Sequence, residues 1–370
     1  MKILILSCST GEGHNSAAYA LADKLRSAHG AECTVIDPIS FKNDKTRDLV
    51  SAAYNKLISS APGVFGVIYK LGAFYEWLRL PSPVYYANSR YAEALYKYIS
   101  DENFDRIVCT HLFAMQAMTA VRKKFGLSLP CYGVLTDYTT IPFYSDTDLD
   151  GYFVANGEVA EMLHKKGILR ERIYPSGIPV NDRFRTVMTK TEAKSALQIS
   201  QDSRVIALMS GGAGCGKIAK LCNALIKSTD EKTVIYVFPG KNEKLKGQLL
   251  KAFCGQDRVK IVEFTHEIQT YIKAADAVLS KPGGLSSTEI AVANAPFVHL
   301  RAIPGCETYN YKLFTKNGLS LPARSTKKAV IAANQLLEDE QLVADMLNNQ
   351  SKHIPQNAQD IISERIISGI

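Results

Sequence analysis

The stretch Ala277-Val278-Leu279-Ser280-Lys281-Pro282-Gly283-Gly284-Leu285-Ser286-Ser287-Thr288-Glu289 runs an apolar segment into a lysine, two glycines and a carboxylate. That pattern suits a phosphate group. The glycines let backbone N–H groups approach a ligand closely, and a helix beginning near Leu285 turns its positive end towards the same point. Lys281, Gly283, Gly284, Leu285 and Ser286 thus form a candidate diphosphate cradle. Inside the helix, Glu289 reaches back with a carboxylate that suits two ribose hydroxyls. The same Pro-Gly-Gly also reads as a tight turn alone, with Glu289 a solvated acid of the first turn.

A second polar cluster follows at Pro304-Gly305-Cys306-Glu307-Thr308-Tyr309-Asn310. Glu307 and Asn310 are three apart and share a helical face, where they could bind sugar hydroxyls beside the diphosphate. Near the N-terminus, Gly11-Glu12-Gly13-His14 puts an imidazole on a glycine-rich turn, with the Gly13 backbone available to a phosphate. An ordinary histidine pKa of about 6.5 suits His14 to take a proton from a hydroxyl at neutral pH. Asp137, at a strand end, is the second candidate, as base or as the group orienting His14; a strand-end Asp is also a common turn cap. His111 follows another strand and is a candidate for lining an acceptor site. His266 reads as structural or surface, and His29, His164, His299 and His353 carry no readable arrangement.

These groups need elements to hold them. Apolar runs at Lys2–Ser7, Cys33–Asp37, Arg106–Cys109, Cys131–Leu135 and Tyr152–Val154 read as strands, with a helix at Ser16–Arg26. The grammar restarts with strands at Arg204–Met209, Thr233–Phe238, Val259–Val262, Ala277–Leu279 and Phe297–Leu300, and a helix at Lys217–Lys227. Alternating strands and helices predict α/β domains with parallel sheets. Two Rossmann-like domains are therefore expected, residues 1–178 and 179–345, facing one interdomain cleft, with a helical tail over 346–370 packing back on the first. Residues 49–99 stand apart, with Tyr54, Phe65, Tyr69, Phe74, Tyr75, Trp77, Tyr85 and Tyr86 and five basic side chains against two acidic ones. Such an insert fits a membrane-facing or acceptor-binding surface. It fits equally well an aromatic helical layer packed on the sheet.

Composition narrows the class. Apolar residues make up 46% and charged residues 22% of the 370, which predicts buried cores rather than disorder. The formal charge of +8 favours anionic partners, yet no long basic block marks a nucleic-acid arm. Eight cysteines include no C-x-x-C pair, and Cys8, Cys109 and Cys131 lie in or beside apolar runs, which predicts buried reduced thiols in a cytosolic protein. The run Ile3–Leu6 is short for a signal peptide, and no stretch reaches the roughly 20 apolar residues of a spanning helix. A soluble or peripheral protein is expected. Asp146-Thr147-Asp148-Leu149-Asp150 has D-x-D spacing in a loop where surface acids are common, and no metal is expected there.

Lys281-Pro-Gly-Gly-Leu with Glu289, followed by Pro304-Gly-x-Glu-x-x-Asn310, resembles the C-terminal signature of glycosyltransferase family 28, in the subgroup of monogalactosyldiacylglycerol synthases and processive diacylglycerol glucosyltransferases. The likeness extends to Gly11-Glu-Gly-His14, Thr136-Asp137, Gly177-Ile-Pro-Val180 and Ser210-Gly-Gly-Ala-Gly214, nearly the whole chain. It implies a GT-B fold, a UDP-sugar donor used as substrate without a cofactor, and a diacylglycerol-type lipid acceptor. It also implies that Phe264-Thr265 contacts the uracil, that Glu289 binds the ribose, and that His14 is the base. The chain departs from the family at Cys306, beside the donor sugar, where members carry glutamine. It departs again on the acceptor side, where the diacylglycerol enzymes tend to carry a histidine shortly after Thr-Asp and this chain reads Tyr138-Thr-Thr-Ile-Pro142. Retaining GT-B enzymes commonly pair the ribose-binding acid with a glutamate eight positions earlier. Here that position is Lys281, which points to inversion. The implied setting is cytoplasmic, peripheral to the inner face of the cell membrane, with an anionic membrane surface as partner.

Other classes fit less of the chain. Gly11-x-Gly13-x-x-Ser16 lacks the third glycine of the dinucleotide fingerprint, although Asp37 ends the second strand as a ribose-binding acid would. Gly211-x4-Gly216-Lys217 resembles a P-loop but continues with Ile218 rather than a hydroxyl. That loop, with Gly212 and Gly214, is read instead as lining the diphosphate side. A UDP-N-acetylglucosamine-dependent transferase to another acceptor, a UDP-sugar epimerase and a non-catalytic binder of the same fold remain as alternatives.

Overall fold

The computed structural model describes residues 1–9, 12–41, 52, 67, 71–72, 74–76, 80–210 and 218–370. Gly212, Gly214 and most of the aromatic insert, with Tyr54, Phe65, Tyr69 and Trp77, lie outside the described residues. The chain divides into two compact units. One holds Met1–Asp182, Pro304–Cys306 and Asn357–Ile370; the other holds Arg183–Ile303 and Glu307–Gln356. The division falls at Asp182/Arg183, a few residues beyond Gly177-Ile-Pro-Val180, and the C-terminal segment is shared out between the units.

In the first unit, β1 (Lys2–Leu6), β2 (Glu32–Ile36), β3 (Arg106–Cys109), β4 (Cys131–Val134), β5 (Gly151–Val154) and β6 (Ile173–Pro175) form a parallel sheet in the order β2-β1-β3-β4-β5-β6. Ile5 sits opposite Val108 and Ile107 opposite Cys131 in the ladder. These strands are short and apolar because helices cover both faces and leave no polar side. Ile3, Ile5, Val108, Val134 and Phe153 share a core with Leu21 and Leu25 of the helix Glu12–His29 and with Ile362 and Ile366 of the helix Ala358–Ser368. The last helix is thereby part of the first unit's core. Lys24 pairs with Asp360 across this contact, and Arg106 Nε donates to the Ile366 carbonyl at 3.2 Å.

In the second unit, β7 (Arg204–Met209), β8 (Thr233–Phe238), β9 (Val259–Ile261), β10 (Ala277–Ser280), β11 (Phe297–His299) and β12 (Leu321–Pro322) form another parallel sheet, in the order β12-β11-β10-β7-β8-β9. Each sheet reverses its strand order once, between β1 and β3 in the first unit and between β7 and β10 in the second. Ligands of such sheets bind outside the carboxyl ends of the strands at that reversal, where the crossovers diverge to opposite faces and leave a crevice.

Candidate functional site

At the reversal of the first sheet, the loops leaving β1, β3 and β4 bring His14, Thr110, His111 and Thr136 together. The first helix begins at Glu12, not at Ser16, so His14 lies in its first turn rather than on a free loop. His14 Nδ1 is 3.0 Å from the Thr110 carbonyl oxygen and 2.8 Å from the Thr136 hydroxyl. A carbonyl only accepts, so Nδ1 carries the ring proton and Nε2 presents the lone pair. Burial pushes the imidazole down to about 4, against an opposing pull from the Thr110 carbonyl. At neutral pH the ring is an unprotonated base, further below its ordinary value than the sequence suggests.

His111 lies beside it, the two rings 4.5 Å apart and edge to face. Its Nδ1 accepts from the Phe113 backbone N–H at 3.1 Å, capping the helix Leu112–Phe125, and burial with the neighbouring His14 holds it well below 6.5. Beyond Thr136, Asp137 is half-buried and Tyr138 buried. The observed partners of His14 Nδ1 are thus Thr136 and a backbone carbonyl. Thr136 was legible only as half of a Thr-Asp motif. The buried Thr110 hydroxyl oxygen has no hydrogen-bond partner among the described residues.

The second cluster lies at the reversal of the other sheet. Strand β10 ends at Ser280, and the helix Gly284–Val292 starts four residues later with Gly283 as an N-cap that offers no side chain. Its first N–H groups are therefore open to a ligand or to solvent. Gly283 has an ordinary φ of −70°, and a Cβ built there would meet only Ser286 Oγ, at 4.0 Å. Neither conformation nor packing among the described residues calls for glycine, and the missing side chain leaves room for close approach by an outside group. Lys281 Nζ is 2.7 Å from Glu307 Oε1, Glu307 Oε2 accepts from the Ile303 N–H at 2.9 Å, and Asn310 Nδ2 donates to the Pro282 carbonyl at 3.0 Å. The Glu307–Asn310 face thus braces the cradle loop, with Asn310 wholly buried and Cys306 half-buried.

Glu289 lies on that helix. Burial pushes its carboxyl up to about 8, with the Arg183 guanidinium opposing. Arg183, which the sequence did not single out, also donates to the His266 carbonyl at 2.5 Å. Phe264 is 53% exposed, with Lys241 Nζ 5.1 Å from its ring centre and His266 edge-on at 5.2 Å. Thr265 Oγ1 accepts from the Glu267 N–H at 3.0 Å, which shapes the turn that presents Phe264. Buried His299 is held between Ser287 and Ser320 hydroxyls at 2.9 and 2.8 Å and pushed down to about 3, so it serves as a neutral strut under the cradle helix.

Two features lie apart. The D-x-D carboxylates are each engaged: Asp146 by the Ser82 N–H and Gln116, Asp148 by Arg172, and Asp150 by Arg122 and the Cys131 N–H. A cavity of about 320 Å³ lined by Thr147, Asp148, Tyr152, Leu169 and Arg172 opens before β5 and β6. That is the amino end of the sheet, away from His14.

Residues 14–180 match the monogalactosyldiacylglycerol (MGDG) synthase family, and residues 206–363 match the glycosyltransferase family 28 C-terminal domain. Processive diacylglycerol beta-glucosyltransferases from Bacillus mycoides and Bacillus pumilus are 25% and 26% identical to the chain, covering 93% and 98% of it and 88% and 94% of their own lengths. Among solved structures, UDP-GlcNAc 2-epimerase from Neisseria meningitidis bound to UDP-GlcNAc superposes with a TM-score of 0.64 at 14% identity, over the whole of both chains. Acinetobacter baumannii MurG gives 0.62 at 13% identity over 99% of each chain, and Anabaena Alr3699/HepE in complex with UDP-glucose gives 0.58 at 14% over the whole of both. These likenesses share the fold, two Rossmann-like α/β units of the GT-B class.

Proposed function

Because the chain belongs to glycosyltransferase family 28, we propose that it moves a hexose from a UDP-sugar to a lipid acceptor, diacylglycerol in the first instance, with inversion at the anomeric carbon. The observation that carries this reading is the cradle at the β7/β10 reversal. An uncapped helix end, a glycine with no internal reason to be one, and a carboxyl held near neutral pKa form the set of groups that a nucleoside diphosphate uses. In this reading the Gly283–Ser286 N–H groups and Lys281 take the diphosphate, Glu289 the ribose, and Phe264 and Thr265 the uracil. Cys306 and Glu307 border the sugar, and buried Asn310 holds the loop from beneath rather than meeting the sugar as the sequence suggested.

In the proposed reaction the acceptor hydroxyl gives its proton to His14 Nε2 as its oxygen bonds to the anomeric carbon. The bond from that carbon to the diphosphate oxygen breaks, and its electron pair leaves on UDP. The negative charge develops where the helix N–H groups are fixed in advance. The Thr110 carbonyl accepts from Nδ1–H and so stabilises the imidazolium formed at Nε2. Asp137 is the alternative base, with His111 and Tyr138 lining the acceptor side.

A lipid acceptor implies work at a membrane surface. No helix among the described residues is long and apolar enough to cross a membrane. Leu71 and Phe74 of the insert are each 62% exposed, apolar surface that supports peripheral membrane contact.

The competing reading is a UDP-sugar 2-epimerase, the activity named for the Neisseria structure. That reaction needs an acid–base pair at the donor sugar and no acceptor, whereas Lys281 and Glu307 beside the cradle are engaged with each other. Thermal shift with UDP, ATP and NAD in parallel tests the donor assignment. A ligand at 100 times its Kd adds about 2.7 kcal/mol of stability. A clear response to UDP alone is expected, and a response to ATP or NAD without one to UDP would refute the assignment.

A further inference from the structure

Three residues of the aromatic insert, Gly72, Tyr75 and Glu76, grip the loop that runs from the end of β4 to β5. Gly72, Tyr75 and Glu76, three and four apart and so on one helical face, all meet that loop at Phe143 or beside it. Glu76 Oε1 accepts from the Phe143 N–H at 2.8 Å and from the Ser145 hydroxyl at 3.0 Å, while Oε2 pairs with Lys166. The Glu76 side chain is only 10% exposed. The Tyr75 and Phe143 rings meet edge to face at 6.3 Å. A Cβ on Gly72 would come within 3.2 Å of the Phe143 ring, so the glycine is what lets that ring lie against the helix backbone.

Phe143 itself has φ 77° and ψ 14°, the left-handed region that a bulky side chain rarely adopts unless its surroundings impose it. The contacts from Gly72, Tyr75 and Glu76 are those surroundings. At its near end the same loop carries Thr136, whose hydroxyl holds His14 Nδ1, and Tyr138, which is buried.

We propose that Glu76 is a positioning residue for the acceptor end of the reaction: by holding Phe143 in the left-handed conformation it fixes residues 137–146, and so the wall beside His14 on which the acceptor is handled. The acceptor part of this assignment rests on the reading of His14 as the base; the clamp itself rests on the contacts alone. The effect is one of population. A loop that is ordered only part of the time binds the acceptor in proportion to its ordered fraction, while the donor contacts in the other unit are untouched.

The test has two arms. In hydrogen exchange with mass spectrometry, Glu76→Ala should speed exchange across 137–146 and leave the 281–292 segment unchanged. Phe143→Gly, which suits the left-handed backbone, should restore part of the protection in the Glu76→Ala background. In kinetics with UDP-glucose and dioleoylglycerol in mixed micelles, Glu76→Ala should raise the apparent KM for dioleoylglycerol about tenfold and leave that for UDP-glucose within about twofold. Glu76→Gln, which keeps an acceptor for the Phe143 N–H, should fall between the two. Unchanged exchange in 137–146, no rescue by Phe143→Gly, or an equal rise in both KM values would overturn the proposal. Localised exchange and rescue in a protein that transfers to no acceptor would uphold the clamp and count against the transferase reading instead.

Discussion

Lys281 and Glu307 form an ion pair, 2.7 Å between Nζ and Oε1, across the mouth of the phosphate cradle, with side-chain exposures of 26% and 14%. The other oxygen of Glu307 accepts from the Ile303 N–H, so the carboxylate is held from two sides. On the proposed reading, a diphosphate arriving at the helix end would compete with Glu307 for Lys281. Glu307→Ala leaves an ammonium and a backbone N–H without this partner and should lower stability by about 1–3 kcal/mol, read from urea unfolding at unchanged slope. Saturating UDP should recover part of that loss by giving Lys281 a new anion. A variant as stable as wild type, or one that UDP does not rescue, would separate the pair from the donor site.

The depressed His14 predicts an unusual acid limb. An imidazole with pKa about 4 loses its lone pair only when the pH falls through that value, so kcat/KM should stay flat from about pH 6 to 8 and decline near pH 4. His14→Ala should retain UDP binding and lose transfer by about 10²–10⁴-fold. Thr136→Val, which removes one partner of Nδ1 and leaves the Thr110 carbonyl, should have a smaller effect. An acid limb centred near 6.5, or a His14→Ala variant with near-normal kcat, would shift the role of base to Asp137.

Glu289 titrates in the opposite sense. With its folded pKa raised to about 8 from an ordinary 4.5, the folded chain holds more protons than the unfolded chain between those values, and stability from this group falls as pH rises through the window. Glu289→Gln removes the penalty. It should match wild-type Tm near pH 4.5 and exceed it at pH 8 by more than the roughly 2–4 °C that ~1 kcal/mol would give, while weakening UDP. Equal destabilisation at both pH values, or undiminished UDP affinity, would remove Glu289 from the ribose site.

Leu71 and Phe74 offer the test of membrane contact. Vesicles rich in phosphatidylglycerol should float the protein at low salt and release it as salt screens the attraction. Replacing both residues with serine should abolish flotation while leaving the UDP thermal shift intact. Flotation unaffected by the replacement would move the contact elsewhere on the protein.

Much of this architecture was legible in the order of residues, and the reasons differ between elements. Arg106–Cys109, Arg204–Met209 and Thr233–Phe238 match strands β3, β7 and β8 to the residue, because strands buried on both faces stand out as continuous apolar runs. Strands β6 and β12 did not stand out. Both lie at sheet edges, both contain a proline, and they are three and two residues long, as proline's missing N–H confines it to edges. The types of the site residues were readable, since histidine, lysine and glutamate carry their chemistry with them. Their partners were not. Thr110 and Thr136 reach His14 from 96 and 122 residues away, and Glu76 meets Phe143 across 67; such pairings are set by strand order, which local pattern does not encode.

The most direct measurement is the product itself. UDP-glucose and UDP-galactose, each labelled in the sugar, should be incubated with the protein with and without dioleoylglycerol micelles, and the lipid and nucleotide fractions examined by proton NMR. The account predicts UDP release from at least one donor that depends on the acceptor, and a lipid glycoside whose large anomeric coupling marks a β linkage. An α-linked product would contradict inversion and the assignment of His14 with it. No release with either lipid or donor, together with conversion of UDP-N-acetylglucosamine to its 2-epimer without acceptor, would contradict transfer altogether.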